Sequence, residues 1–252
     1  MAGFRTTVLA AMSLALIASS SAEACGPQDS PRDSAQTATD RISAKVATGA
    51  PQVVSFPTSD GGLIYADLYG QGDHAVILAH GARFTKESWK RQAPVLARAG
   101  FRVLAIDFRG RGKSRAGPNA KRGERLHYLD VLGAVRYVRE NGAKTVSIIG
   151  SSFGGGMAAR AAVEAEPNQI DRLVLLAPTP IEHPEKIKGR KLFITSRHDR
   201  ILPLATLRDQ YDRAEQPKLL VVLEGTMHAH HIFRSKLGAR LMNEIMRFLA
   251  TP

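Results

Sequence analysis

An α/β fold on an eight-stranded, mostly parallel sheet with helices on both faces is predicted for residues 51–252. Three observations predict it. Short apolar runs rich in Val, Ile and Leu alternate with stretches of helical periodicity from about residue 74 onward, the pattern of parallel strands joined by right-handed helical crossovers. Two earlier runs flank Ser59-Asp60-Gly61-Gly62, a turn sequence that implies an antiparallel hairpin at the start of the sheet. The residues with chemistry to offer fall just past the C-terminal ends of strands, where open α/β sheets assemble their sites.

In chain order, strands are expected near 52–57, 63–69, 75–79, 102–107, 145–149, 172–177, 191–196 and 218–223. Helices are expected near 87–99, 124–141, 153–166, 204–214 and 232–250. In the second helix Leu126, Leu129, Leu132, Val135 and Val138 recur every three residues, which reads as a core stripe. The chain has 252 residues and is 44% hydrophobic, ordinary for a globular protein. About 200 residues remain after the N-terminal segment, enough for one core covered on both faces. No repeat appears, and no apolar run after residue 20 is long enough to cross a bilayer.

The N-terminus reads as an export signal over residues 1–24. Arg5 supplies the positive region, Val8–Ala18 (VLAAMSLALIA) the apolar region, and Ala22-Glu23-Ala24 the small-residue cleavage pattern. Residues 25–50 are polar, aperiodic and rich in Pro, Ser, Thr and Ala, the composition of a flexible tether. Cys25 is the only cysteine, so an internal disulfide is excluded. Its place directly after the cleavage pattern resembles the lipidated first residue of bacterial lipoproteins, although Ala22 stands where leucine is usual. Two localisations follow, an envelope-anchored lipoprotein or a plainly periplasmic or secreted protein.

The most informative stretch is Gly150-Ser151-Ser152-Phe153-Gly154, G-x-S-x-G between the strand Thr145–Ile149 and an alanine-rich helix. A serine on so sharp a turn is held above the sheet at a helix N-terminus, where N–H groups and the helix dipole favour an oxyanion. Only Ser152 fits the register, because Ser151 would need glycines at Ile149 and Phe153. Asp199 follows a strand within Ser196-Arg-His-Asp-Arg-Ile-Leu-Pro203, and His228 follows another within Glu224-Gly-Thr-Met-His228. His80-Gly81-Ala82-Arg83 follows the strand Ala75–Ala79, and Asp107-Phe-Arg-Gly-Arg-Gly-Lys-Ser114 follows a fourth.

With Ser…Asp…His in that order and a D-x-R-G-x-G-x-S loop, the chain resembles the α/β-hydrolase-fold serine hydrolases over about residues 51–252. The resemblance implies an esterase-like member that works without a cofactor. Residues 177–190 leave no room for a cap domain between the sixth and seventh strands, so the site should be open. The implied roles are Ser152 as nucleophile, His228 as base, and Asp199 as the carboxylate that orients the imidazole. The N–H groups of Ala82 and Phe153 would form the oxyanion hole, and His80 would brace their loop. His230 and His231 rival His228, although G-x-x-H spacing from Gly225 favours the latter. Asp209 and Asp212 rival Asp199 but fall within a helical pattern. The His228-Ala-His-His231 cluster could instead hold a metal, but no carboxylate or cysteine lies at ligand spacing.

The implied activity is cleavage of a small-molecule ester or acyl substrate through an acyl-enzyme. Thioester, amide or peptide cleavage is the alternative within the class, and a binding protein on a hydrolase scaffold the alternative outside it. The formal charge is +12, and the four basic and four acidic residues of 1–50 cancel, so the excess lies in the catalytic region. A dense part is Arg109, Arg111, Lys113, Arg115, Lys121, Arg122 and Arg125. It reads as a solvated basic surface, with an anionic envelope surface as the partner it would favour. No nucleic-acid module accompanies the charge. Gly-Lys-Ser114 is not a phosphate loop, since Asp107 stands where that motif needs glycine.

Overall fold

The computed structural model describes residues 50–118, 120 and 126–251. The expected signal peptide, the tether, Cys25, Lys121, Arg122 and Arg125 lie outside the described residues.

Eight strands form one sheet: β1 (Gln52–Pro57), β2 (Leu63–Tyr69), β3 (His74–Ala79), β4 (Arg102–Ile106), β5 (Thr145–Ser151), β6 (Arg172–Leu176), β7 (Arg190–Ser196) and β8 (Lys218–Leu223). Their order is β1-β2-β4-β3-β5-β6-β7-β8. β2 runs antiparallel to β1 and to β4, and every later pairing is parallel. Among the described residues five helices connect or cover the strands: α1 (Ala93–Arg98), α2 (Tyr128–Glu140), α3 (Phe153–Glu164), α4 (Leu204–Arg213) and α5 (Gly238–Ala250).

The strand sequences follow their places in the sheet. Central β3 (HAVILA) is buried from Ala75 onward because helices cover both faces, which demands a continuous apolar run. Edge strand β1 exposes most of its residues and points Phe56 inward. No cap domain follows β6. Residues 177–189 reach β7 with only a 3-10 turn at Pro184–Lys186 as regular structure.

Three helical expectations shift. The helix expected over 87–99 divides into a 3-10 turn, Lys86–Trp89, and α1, with Pro94 in the first turn of α1, where its missing N–H does no harm. The one expected over 232–250 divides into a 3-10 turn, Ala229–Arg234, and α5 at Gly238, where a side chain would run into the Phe233 carbonyl. In α2 the buried arc is Val131, Ala134, Val135 and Val138, whereas Leu126, Leu129 and Leu132 are half-buried. A three-residue spacing drifts off one face of a 3.6-residue helix, and the i, i+3, i+4, i+7 set stays on it.

A buried ionic cluster also escaped sequence reasoning. Arg109 sits inside, not on the basic surface, donating to Asp130 and to Asp60. The backbone N–H of Arg109 also donates to Asp130, so the cluster ties the loop after β4 to α2 and to the β1–β2 turn. The signal available was Asp130 itself, an acid on the apolar side of a helix.

Acid should destabilise this fold earlier than an ordinary carboxylate-driven transition. Burial pushes the imidazoles of His74, His80 and His230 down from 6.5 to about 4. Their folded pKa values lie below the unfolded value, so the stability they contribute is present above pH 6.5 and is lost as pH falls toward 4. Asp130 works the other way, because burial raises its carboxyl to about 6 against the hydrogen bonds from Arg109. The unfolded chain therefore binds about two more protons than the folded one in this window, a loss of roughly 3 kcal/mol per pH unit at the steepest. Urea unfolding at pH 7.5 and pH 5 should show the midpoint falling sharply, and an unchanged midpoint would contradict the neutral burial of these histidines.

Candidate active site

The site is assembled at the C-terminal ends of β3, β5, β7 and β8. β5 ends at Ser151, and Ser152 makes the turn into α3 with φ 51° and ψ −114°. A positive φ is costly for a non-glycine residue and persists only where its surroundings over-determine it. Here they do: the Ser152 N–H donates to Leu176 of β6, and the Ser152 carbonyl accepts from Gly156 and Thr179. Three glycines let α3 start in so narrow a space. A Cβ on Gly154 would run into the carbonyl oxygens of Ala79 and His80, and one on Gly155 would come within 2.9 Å of Pro178. A Cβ on Gly156 would meet the Thr179 hydroxyl.

The sequence-expected Ser152, Asp199 and His228 come together in one hydrogen-bonded line. His228 Nε2 lies 2.9 Å from Ser152 Oγ, and His228 Nδ1 lies 2.7 Å from Asp199 Oδ2. Asp199 is buried, and its other oxygen accepts the N–H groups of Ile201 at 2.8 Å and Leu202 at 3.1 Å. Burial alone would raise this carboxyl. The hydrogen bond to His228 and the two backbone donors outweigh it and hold the carboxyl below its ordinary value. Asp199 thus stays ionised, and its negative charge favours Nδ1–H on His228, which leaves Nε2 free to accept the serine proton.

The backbone around His228 is anchored on both sides. Ser196 Oγ, at the end of β7, donates to the Met227 carbonyl at 2.6 Å. The His230 N–H donates to Ser151 Oγ at 3.1 Å, across a positive-φ residue, Ala229 at 47°. Sequence reasoning treated Ser151 only as a rejected nucleophile. Its buried hydroxyl instead fixes the distance between the turn that carries Ser152 and the loop that carries His228. Neither this serine nor Ser196 stands in a pattern that sequence alone would single out.

The rival residues lie elsewhere. The His230 ring is buried against Trp89, 4.7 Å between centroids, and packs beside Phe233 and Phe84. His231 packs on Phe84. Asp209 pairs with Arg213 one turn along α4, and Asp212 is exposed on the same helix. Among the described residues, no group of three or more His, Cys, Asp and Glu side chains is arranged to hold a metal ion.

The two N–H groups expected to receive an oxyanion belong to Phe153 and Ala82. Phe153 is the first residue of α3, so its N–H has no acceptor within the helix. Ala82 follows β3 by way of His80 and Gly81, in the loop that a Cβ on Gly154 would strike. The His80 ring is buried, with Nδ1 2.8 Å from the Gly81 carbonyl and Nε2 accepting the Phe108 N–H at 3.1 Å. The His80 ring thus bonds both the loop after β3 and the loop after β4.

Comparison with known proteins agrees with this architecture. A family model described as the alpha/beta hydrolase fold matches residues 74–192. A non-heme chloroperoxidase of Streptomyces lividans is 32% identical over 49% of this chain and 44% of its own length. Bifunctional epoxide hydrolase 2 of Sus scrofa is 40% identical over 32% of this chain and 14% of its own. The chain therefore spans less than half the length of these curated relatives. Among solved structures, an esterase from Pyrococcus furiosus superposes with a TM-score of 0.69 at 21% identity, covering 80% of this chain and 91% of that one. An esterase from Exiguobacterium antarcticum gives 0.68 at 15% identity, covering 79% and 100%. The protein has the α/β-hydrolase fold, with no cap domain between β6 and β7.

Proposed function

We propose that this protein is a serine hydrolase that cleaves carboxylic esters through an acyl-enzyme. The observation that carries the reading is the Ser152–His228–Asp199 line, with Ser152 on a positive-φ turn at the start of α3. His228 Nε2 takes the hydroxyl proton as Oγ attacks the substrate carbonyl, and the imidazolium is stabilised by ionised Asp199. The N–H groups of Ala82 and Phe153 receive the oxyanion as it forms, each worth roughly 3–4 kcal/mol in comparable enzymes. The C–O bond breaks as His228 returns the proton to the departing alcohol. A water activated by the same imidazole then releases the acid and restores Ser152.

The relatives' names span epoxide, chloroperoxidase and esterase chemistry, so the fold does not select the reaction. A serine hydroxyl backed by a histidine and a buried carboxylate favours acyl transfer. The absence of a cap favours a small or protruding ester over one enclosed in a lipid tunnel. A panel of p-nitrophenyl esters from acetate to palmitate tests this. Turnover should be highest for short chains and fall toward the long ones. Absence of turnover on every member would remove ester cleavage, and a preference for palmitate would remove the open-site argument.

A further inference from the structure

The N–H of Ala82 belongs to the peptide whose carbonyl is that of Gly81, and in a trans peptide the two point in opposite directions. That carbonyl is held by two donors, the His80 ring at 2.8 Å and the Phe84 N–H at 3.0 Å. The Phe108 N–H donates to His80 Nε2, which makes Nε2 the acceptor and leaves Nδ1 to carry the proton toward Gly81. The next carbonyl, that of Ala82 itself, accepts a hydrogen bond at 2.5 Å from the guanidinium of Arg111. Both peptides flanking the Ala82 Cα are therefore tied, and Phe108 and Arg111, which supply the outer ties, belong to the single loop after β4.

That loop is built to hold its shape. The Arg111 N–H donates to the Phe108 carbonyl, the Ser114 N–H to the Arg111 carbonyl, and the Gly110 N–H to the Ser114 carbonyl. Gly112 has φ 52°, and a Cβ there would strike the Asp107 carboxylate, so the turn closes only with glycine. Ser114 Oγ accepts the Tyr65 N–H from β2 at 2.8 Å, and Arg109 is locked to Asp130 and Asp60. This turn fixes the Cα from which Arg111 reaches the Ala82 carbonyl, although the side chain itself is exposed.

We infer that Arg111 is a positioning residue for the reaction: through the Ala82 carbonyl it fixes the direction of the N–H that receives the oxyanion. This rests on the proposed nucleophile, Ser152, and adds the loop after β4 to the machinery that serves it. The Arg111 side chain bonds the Ala82 carbonyl and not the nucleophile. It acts on a backbone donor whose aim matters most when charge has developed on the reacting oxygen.

The test compares Arg111→Met, which keeps the stem and loses the donor, with Arg111→Lys, which keeps a cationic donor on a similar reach. The readouts are kcat and KM for p-nitrophenyl acetate, and the inhibition constant of phenylboronic acid. That acid bonds its boron to Ser152 Oγ and presents an anionic tetrahedral centre to the oxyanion donors. Arg111→Met should lower kcat about 10- to 30-fold and weaken the boronate by a similar factor, with KM within about twofold and an unchanged melting temperature. Arg111→Lys should recover most of both losses. A kcat and a boronate constant within twofold of the unaltered protein in Arg111→Met would overturn the positioning role. So would a kcat loss with no change in boronate affinity. An unaltered protein that hydrolyses the ester but gains nothing from Ser152 would overturn the nucleophile assignment instead, which Ser152→Ala reveals separately.

Discussion

Ser152→Ala should abolish nearly all ester turnover while leaving the fold intact. The hydroxyl oxygen is the only heavy atom lost, and alanine meets the same positive φ at the same turn that serine already tolerates. The three backbone bonds that hold Ser152 use its N–H and C=O, not its side chain, so they survive the change. What disappears is the donor of the 2.9 Å contact with His228 Nε2 and the atom that would bond to the acyl carbon. We expect kcat to fall at least about 10³-fold, with residual rate from the oxyanion donors and binding alone. The melting temperature should stay within about 2 °C. Retention of more than a tenth of the activity would place the nucleophile elsewhere.

Gly154→Ala should have the largest effect on stability. The new Cβ would collide with two main-chain oxygens, those of Ala79 and His80, where β3 ends. Backbone cannot rotate out of the way as a side chain can, so either α3 lifts off the sheet or the end of β3 moves. Both carry the site with them. Overpacking of this kind costs about 3 kcal/mol or more, which for a chain of this size lowers the melting temperature by roughly 10 °C. Gly156→Ala provides the contrast, because its nearest neighbour is the Thr179 hydroxyl, which can turn aside. Differential scanning calorimetry of the two variants should separate them clearly. Equal melting temperatures would mean that the close approach of α3 to β3 is not needed.

The architecture was legible because its signals are local. Runs such as AVILA and the G-x-S-x-G turn state their conformation within a few residues, and all eight strands fall where the apolar runs stand. Ser152, Asp199 and His228 were legible for a related reason: each follows a strand end, and parallel strands bring such ends to one edge. What stayed hidden depends on contacts between distant segments. Arg109 looked like one more surface cation in a basic run, and only the approach of Asp60 and Asp130 shows it to be internal. Ser151 and Ser196 anchor the His228 loop through single hydroxyls, and no spacing distinguishes them from other serines. Helix ends were misjudged at Pro94 and Gly238, where one residue's covalent shape or its steric neighbour decides the boundary over periodicity.

Reaction with a fluorophosphonate followed by peptide mapping reports whether Ser152 is an activated nucleophile. The phosphorus atom is attacked by the serine oxygen, fluoride leaves, and the adduct marks the residue that His228 deprotonates. One equivalent of label per chain is expected on Ser152, absent in Ser152→Ala and strongly slowed in His228→Ala. Stoichiometric label on another residue, or none under conditions that label a known serine esterase, would contradict that role.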